Sequence, residues 1–121
     1  MSNSNLTRIG NEWLSDERCH ISEIINSEEQ PGASLARARV EPGVQTALHT
    51  VEVEEYYIIQ SGQGEVRLGE QSVFSVGPGD VVRIPAMTPQ QIRNTGSEQL
   101  IFECLCVPRF TPQCYQSLES E

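Results

Sequence analysis

The fold of this chain is decided by the segment Gly43-Val-Gln-Thr-Ala-Leu-His49-Thr-Val-Glu-Val-Glu-Glu55-Tyr-Tyr-Ile-Ile-Gln-Ser-Gly62. It is rich in Val, Ile and Tyr, which is typical of β-strands. Even spacing places His49 and Glu55 on the same face of a strand, together with Val51 and Tyr57. An imidazole and a carboxylate on an otherwise apolar face suggest the beginning of a metal site.

The spacing of these residues resembles the first sequence motif of the cupin family, G-x5-H-x-H-x3-E-x6-G. Four positions of the motif match, and they are Gly43, His49, Glu55 and Gly62. The second histidine of the motif is absent, because Val51 stands in its place.

A second segment resembles the second cupin motif, G-x5-P-x-G-x2-H-x3-N. Gly79, Pro85 and Asn94 match it, whereas Met87 replaces the second glycine and Gln90 replaces the histidine. We expect the Met87 side chain in the core or at the mouth of the barrel. The two motifs occur in the family's order and separation, so the resemblance covers most of the chain.

The resemblance implies an all-β fold, the double-stranded β-helix or jelly-roll barrel. In the family the motif histidines and glutamate hold a divalent metal. Here His49 and Glu55 carry over directly, and Gln90 carries over as a substituted donor. Such a set implies a weakly held Mn, Fe or Zn ion, and the alternative is a barrel that has lost its metal and kept its pocket. Tyr57 is the candidate catalytic residue for proton transfer, unless it simply packs.

Both inward-facing residues also have simpler interpretations. His49 is compatible with a core histidine whose hydrogen bonds are satisfied. Without a cation, a buried Glu55 must be protonated, reach an arginine or turn outward, because burying an isolated charge is costly. Arg37 and Arg39 share one face of the preceding strand. The alternating apolar face of that strand favours an outward position for both arginines, where they cannot reach Glu55.

The composition limits the classes of function. The 121 residues include 17 acidic residues, 8 arginines and no lysine, giving a net charge of −9. An acidic chain without basic clusters argues against nucleic acid as a partner, and the missing lysine excludes Schiff-base chemistry. The length fits one domain. We see no signal peptide and no apolar segment long enough to cross a membrane, and we therefore expect a cytoplasmic protein.

Glycine- and proline-rich turns divide the chain into short β-rich segments. They predict strands over 34–40, 54–60, 64–68, 72–76, 80–84, 89–94 and 99–107. We expect an N-terminal segment at 1–32, the barrel at 33–107 and a tail at 108–121 with one helical turn. A strand over 18–25 is expected at a homodimer interface, as in similar cupins, because an unpaired edge strand favours association.

The four cysteines are expected to be reduced, since no export signal is visible. Cys104 and Cys106 alternate with Phe102 along an apolar run, so the three share a face. Either both thiols are small buried groups, or one of them lines the cavity.

Two classes of function are consistent with these residues. The first is a metalloenzyme of dioxygenase, isomerase or lyase type, as in similar cupins, acting on a small polar molecule. The second is a non-catalytic barrel that binds or senses a small molecule without metal. The loss of two histidines weakens the first hypothesis, because few groups remain for acid–base chemistry near neutral pH.

Overall fold

In the computed structural model, which describes residues 5–119, β-strands dominate the chain. One 3-10 turn, Pro112–Cys114, precedes the last strand. The described chain contains no helix that is long and apolar enough to cross a membrane. In chain order the strands are β1 Trp13–Leu14, β2 His20–Ser27, β3 Gln30–Val40, β4 His49–Val51, β5 Glu54–Ser61, β6 Gly64–Leu68, β7 Phe74–Val76, β8 Val81–Ile84, β9 Gln90–Asn94, β10 Leu100–Val107 and β11 Tyr115–Ser117.

The strands form two antiparallel sheets. Six strands make one sheet in the order β1-β2-β3-β10-β5-β8, and five make the other in the order β11-β4-β9-β6-β7. Neighbours in each sheet are mostly distant in sequence, as expected when a chain winds two sheets into a jelly roll. This confirms the predicted all-β double-stranded β-helix.

The predicted strands in the barrel all occur, with ends shifted by a few residues. The tail is more ordered than predicted, because residues 115–117 form β11 and pair with β4, with Tyr115 opposite Val51. A three-residue strand gives no periodic signal, so its existence depends on the edge it meets.

The predicted N-terminal strand is β2, which pairs with β3 of the same chain. The homodimer stays a prediction.

One end of the sandwich is filled by a close-packed apolar core. Its largest fully buried apolar side chains come from both sheets, as β-alternation requires. Asn94 closes this end with its side chain, donating to the backbone oxygens of Val40 and Glu98 at 2.9 and 2.7 Å. The core side chains include Val40, Ile59, Val66, Ile84, Ile92 and Leu100.

The expectation that Met87 packs in the core or at the barrel mouth is wrong. Its side chain is 54% exposed, and its φ is 66°. The left-handed backbone suits the glycine that the motif has at this position. The Met87 N–H donates to the Val51 oxygen at 2.8 Å, so the turn between β8 and β9 keeps its shape and sends the side chain into solvent.

Two glycines with the same backbone angle should respond differently to alanine. Gly62 and Gly79 both have φ of +90°, but a Cβ at Gly62 would lie 2.5 Å from the Gln99 oxygen, whereas one at Gly79 meets nothing within 4 Å. We expect Gly79→Ala to lower the free energy of unfolding by about 1 kcal/mol and Gly62→Ala by about 3 kcal/mol or more. Urea denaturation measures both, and equal losses would contradict the close approach at Gly62.

Candidate functional site

A cavity of about 380 Å³ lies between the two sheets, at the end that the core leaves open. We call it the barrel cavity. Strands β2, β3, β5 and β10 form one wall, and β4, β9 and β11 contribute to the other. Exposed residues such as Trp13 and Asp16 mark its mouth. The walls are mostly apolar, and the polar or titratable side chains that line it include Glu17, Cys19, His49, Glu55, Tyr57, Cys104, Cys106 and Tyr115.

Glu55 is the buried acid of this cavity. It is 7% exposed and lies opposite Ile84 on one side and Cys106 on the other, so strand alternation points it inward. Among the described residues, its Oε1 atom has no hydrogen-bond partner. Burial, and then the charge of Glu17, raise the pKa of Glu55 to about 8. The carboxyl is therefore neutral near pH 7, the first of the three outcomes expected for a buried Glu55 without a cation.

His49 is held in one orientation by three contacts. Its Nδ1 lies 2.8 Å from the Ala47 oxygen, and because a carbonyl only accepts, Nδ1 carries the proton. The other nitrogen, Nε2, lies 3.6 Å from Oε2 of Glu17. The ring stacks on Tyr115 with centroids 5.0 Å apart. His49 thus presents Nε2 to a carboxylate on the cavity wall.

No pattern in the sequence predicts Glu17 or Tyr115 at this site. Glu17 belongs to the non-repetitive segment 15–19, where Arg18 has a left-handed φ of 70°. The Ala47 N–H donates to the backbone carbonyl oxygen of Glu17 at 3.1 Å. This bond holds the segment 15–19 beside the cavity. Burial raises the pKa of the Glu17 carboxyl, and the charge of His49 opposes that rise.

A clamp fixes this segment to the C-terminal part of the chain. Arg18 donates through Nε to the Gln45 oxygen at 2.8 Å and pairs with the carboxylate of Glu119 at 2.8 and 3.0 Å. Glu119 also accepts the Leu48 N–H at 3.1 Å. These contacts stabilise the left-handed backbone conformation of Arg18. They also place the neighbouring residue, Glu17, beside His49.

Tyr57 and Gln90 connect the two sheets inside the protein. The Tyr57 hydroxyl donates to the Gln90 amide oxygen, and Gln90 is 1% exposed and lies opposite His49 in the sheet register. Burial, and then the charge of Glu55, hold the pKa of Tyr57 well above its usual range. Tyr57 lines the cavity as a neutral phenol, and its catalytic role stays a prediction.

The predicted metal ligands do not form a complete metal centre. Within residues 5–119, no group of three or more His, Cys, Asp or Glu side chains is placed to hold a metal ion. Gln90 uses its amide oxygen to accept from Tyr57, and Val51 has no donor atom. His49 and Glu55 are two donors, fewer than protein sites normally provide, so the arrangement does not fit a tightly held metal. The metal stays a prediction.

The arginines of β3 lie outside the barrel, as favoured by the alternation of this strand. Arg37 is exposed, and Arg39 pairs with Glu12 and Glu41 at 2.6 and 2.9 Å. His20 lies near the same two carboxylates, at 3.8 and 3.7 Å, and therefore does not join His49. These basic side chains belong to the outer face of the protein.

All four cysteines are free, and three of them line the cavity. Cys104 and Cys106 share the inward face of β10 with Phe102, as the sequence predicts. Burial raises the pKa of Cys19 to about 12 and also raises those of Cys104 and Cys106. Because the thiolate is the reactive form, these thiols are unreactive wall groups.

Comparison with known proteins agrees with the two sheets and with the motif positions. The cupin domain matches residues 36–108. This chain belongs to the cupin family. An uncharacterized protein from Methanocaldococcus jannaschii is 37% identical to this cupin over 110 residues, which are 88% of this chain and 87% of the relative.

Solved structures share the fold at low sequence identity. The polyketide cyclase RemF from Streptomyces resistomycificus has a TM-score of 0.79 and 17% identity, over 96% of this chain and 87% of the cyclase. Oxalate decarboxylase from Bacillus subtilis has a TM-score of 0.77 and 19% identity, over 93% of this chain and 30% of the decarboxylase. This chain thus spans less than a third of the decarboxylase. At such identities the likeness concerns the fold alone.

Replacing Glu55 with Gln should remove a pH dependence of stability. Its pKa rises from an ordinary value of 4.5 to about 8 in the folded protein, so across this window the folded chain keeps a proton that the unfolded chain releases. The free energy of unfolding therefore falls as pH rises through the window, by at most about 1.4 kcal/mol per pH unit. Glu55→Gln should lack this component of the slope.

Urea denaturation at several pH values across that window measures the effect. Glu70→Gln, at an exposed turn position, is the matched control and should keep the slope of the unmodified protein. Identical slopes for the unmodified protein and Glu55→Gln would show that the carboxyl is ionised in the folded state.

Proposed function

We propose that this cupin binds a small, largely apolar organic molecule in the barrel cavity, with Glu55 as the buried polar anchor. The observation that carries the proposal is the Oε1 atom of Glu55, which is buried without a partner among the described residues. Such an atom costs about 1–3 kcal/mol unless something bonds to it. A ligand with one hydrogen-bonding group and an apolar body satisfies the atom and fills the cavity.

The cavity has the size and character of a ligand site. Its volume of about 380 Å³ is within the usual range for small-molecule pockets. Apolar side chains such as Ala38, Ile92 and Phe102 form most of its surface, and a few polar groups are placed at fixed positions. This combination suits a molecule that is held by burial and oriented by one or two polar contacts.

A metalloenzyme of dioxygenase, isomerase or lyase type is the second candidate. The observation that favours it is that His49 and Glu55 line the same cavity, as the motif resemblance implies. Two donors from the protein would hold Mn, Fe or Zn weakly, with further donors from solvent. Such an ion would supply Lewis-acid or redox chemistry at that point. With either function, we also propose that the protein is a cytoplasmic homodimer.

Ligand binding is tested with fragments and a variant that fills the cavity. Ala36 lines the cavity, whereas Ala33 on the same strand does not appear among its lining residues. We expect fragment hits in 15N–1H correlation spectra to perturb Glu55, Phe102 and Cys104. The perturbations should disappear in Ala36→Leu and persist in the control Ala33→Leu. Hits that map outside the cavity, or that survive in Ala36→Leu, would contradict the proposal.

Metal content separates the two candidates. We expect protein purified without a nickel column or chelator, and then incubated with Fe(II), Mn and Zn, to hold metal well below one ion per chain by plasma mass spectrometry. Two side-chain donors are the reason for this expectation. Stoichiometric metal that is lost in His49→Ala would instead establish the second candidate.

A further inference from the structure

The barrel cavity is lined by acids and has no arginine among its described lining residues. Asp16, Glu17, Glu23 and Glu55 all contribute to the lining, and His49 is the one basic side chain among them. The sequence contains no lysine that could supply a cation from elsewhere. Glu55 is neutral near pH 7, so the acids other than Glu55 are the ones that disfavour an anionic ligand.

The arginines close to the cavity in sequence are exposed or engaged in other contacts, and one of them, Arg109, donates through Nε to the side chain of the lining residue Asn26 at 2.8 Å. Arg39 pairs with Glu12 and Glu41 on the outer face, and Arg37 is exposed. Arg18, next to Glu17, points away and pairs with Glu119 at 2.8 Å. A ligand carboxylate or phosphate would therefore have to compete with these contacts to reach a guanidinium.

Aromatic rings stand beside the acids. Trp13, Tyr57, Phe102, Phe110 and Tyr115 all line the cavity. Aromatic faces attract cations, and this attraction strengthens as the cation loses water. A carboxylate combined with aromatic walls is the chemistry that recognises an organic ammonium group.

Glu17 is the acid best placed to receive such a group. Its side chain is 22% exposed, so an ammonium bound there stays partly hydrated while its apolar part is buried. The carboxylate lies 3.6 Å from Nε2 of His49, which is longer than a hydrogen bond, so its oxygen can still accept from a ligand donor that approaches from the cavity. Tyr115 stacks on His49 and provides an aromatic surface next to this pair.

We propose that the ligand of the barrel cavity is an organic amine bound in its ammonium form, with the nitrogen donating to Glu17 and to the Oε1 atom of Glu55, unpartnered among the described residues, and the apolar body against the inner wall. The inference rests on the proposed function, because it names the ligand class of the same cavity. It places the specificity of the site in the segment 15–19, outside both cupin motifs. The same distribution of charge disfavours dicarboxylates and phosphate esters.

Three probes of similar shape and different charge test the proposal by calorimetry at neutral pH. They are 2-phenylethylammonium, 2-phenylethanol and 3-phenylpropanoate. We expect the ammonium to bind more tightly than the carboxylate by about tenfold or more. Glu17→Gln should abolish this preference, Glu17→Asp should retain it because the charge is kept, and Glu70→Gln should leave it unchanged. Circular dichroism confirms the fold of each variant.

Binding of the carboxylate as tightly as the ammonium, or a preference that persists in Glu17→Gln, would overturn the amine proposal. Absence of binding by all three probes would overturn it as well. Neither result would remove the proposed function, since the fragment perturbations at Glu55 and their loss in Ala36→Leu decide separately whether the cavity binds small molecules. If the ammonium bound tightly while fragments did not perturb Glu55, the amine would bind outside the cavity, and both proposals would be wrong.

Discussion

The register of β10 between β3 and β5 is the constraint on which the site depends. Pairing on both sides places Cys106 opposite Glu55 and Cys104 opposite Tyr57, so thiols flank the acid and the phenol on the inner face. A shift by one residue would exchange the inner and outer faces of a strand. The one irregularity between β10 and β5 lies near Ile101 and Phe102, beyond the acid and the phenol.

The same alternation separates charge across the sheet. On β3 it directs Ala36 and Ala38 into the cavity and Arg37 and Arg39 away from it. The acids reach the cavity in two different ways. Glu55 points into it because of strand alternation along β5, whereas Glu17 lines it because the loop between β1 and β2 passes beside it. A chain with a net charge of −9 thereby keeps the arginines of β3 on the outside and leaves acids around the cavity. This distribution supports the proposed preference for a cationic over an anionic ligand.

Much of the fold was predictable because strands repeat with a period of two. The positions of Glu55 and Tyr57 follow from spacing within one continuous strand, and so does the outward position of Arg39. Met87 was misplaced because its left-handed backbone breaks that periodicity. Tyr115 was missed because β11 exists through pairing with β4, and its three residues have no pattern of their own.

The sequence by itself determined the family and the two-sheet architecture, because motif spacing is a local property of the chain. Its placement of His49 and Glu55 on one face of a single strand is wrong, since they lie in β4 and β5 of different sheets and both line the cavity because the sheets face each other. Tertiary structure alone decided that Glu17 meets His49, since residues 17 and 49 approach through a loop that Arg18 ties to Glu119. It also decided that Glu55 is neutral. A pKa depends on the water and charges that surround a group, and these are set only when the two sheets close around the cavity.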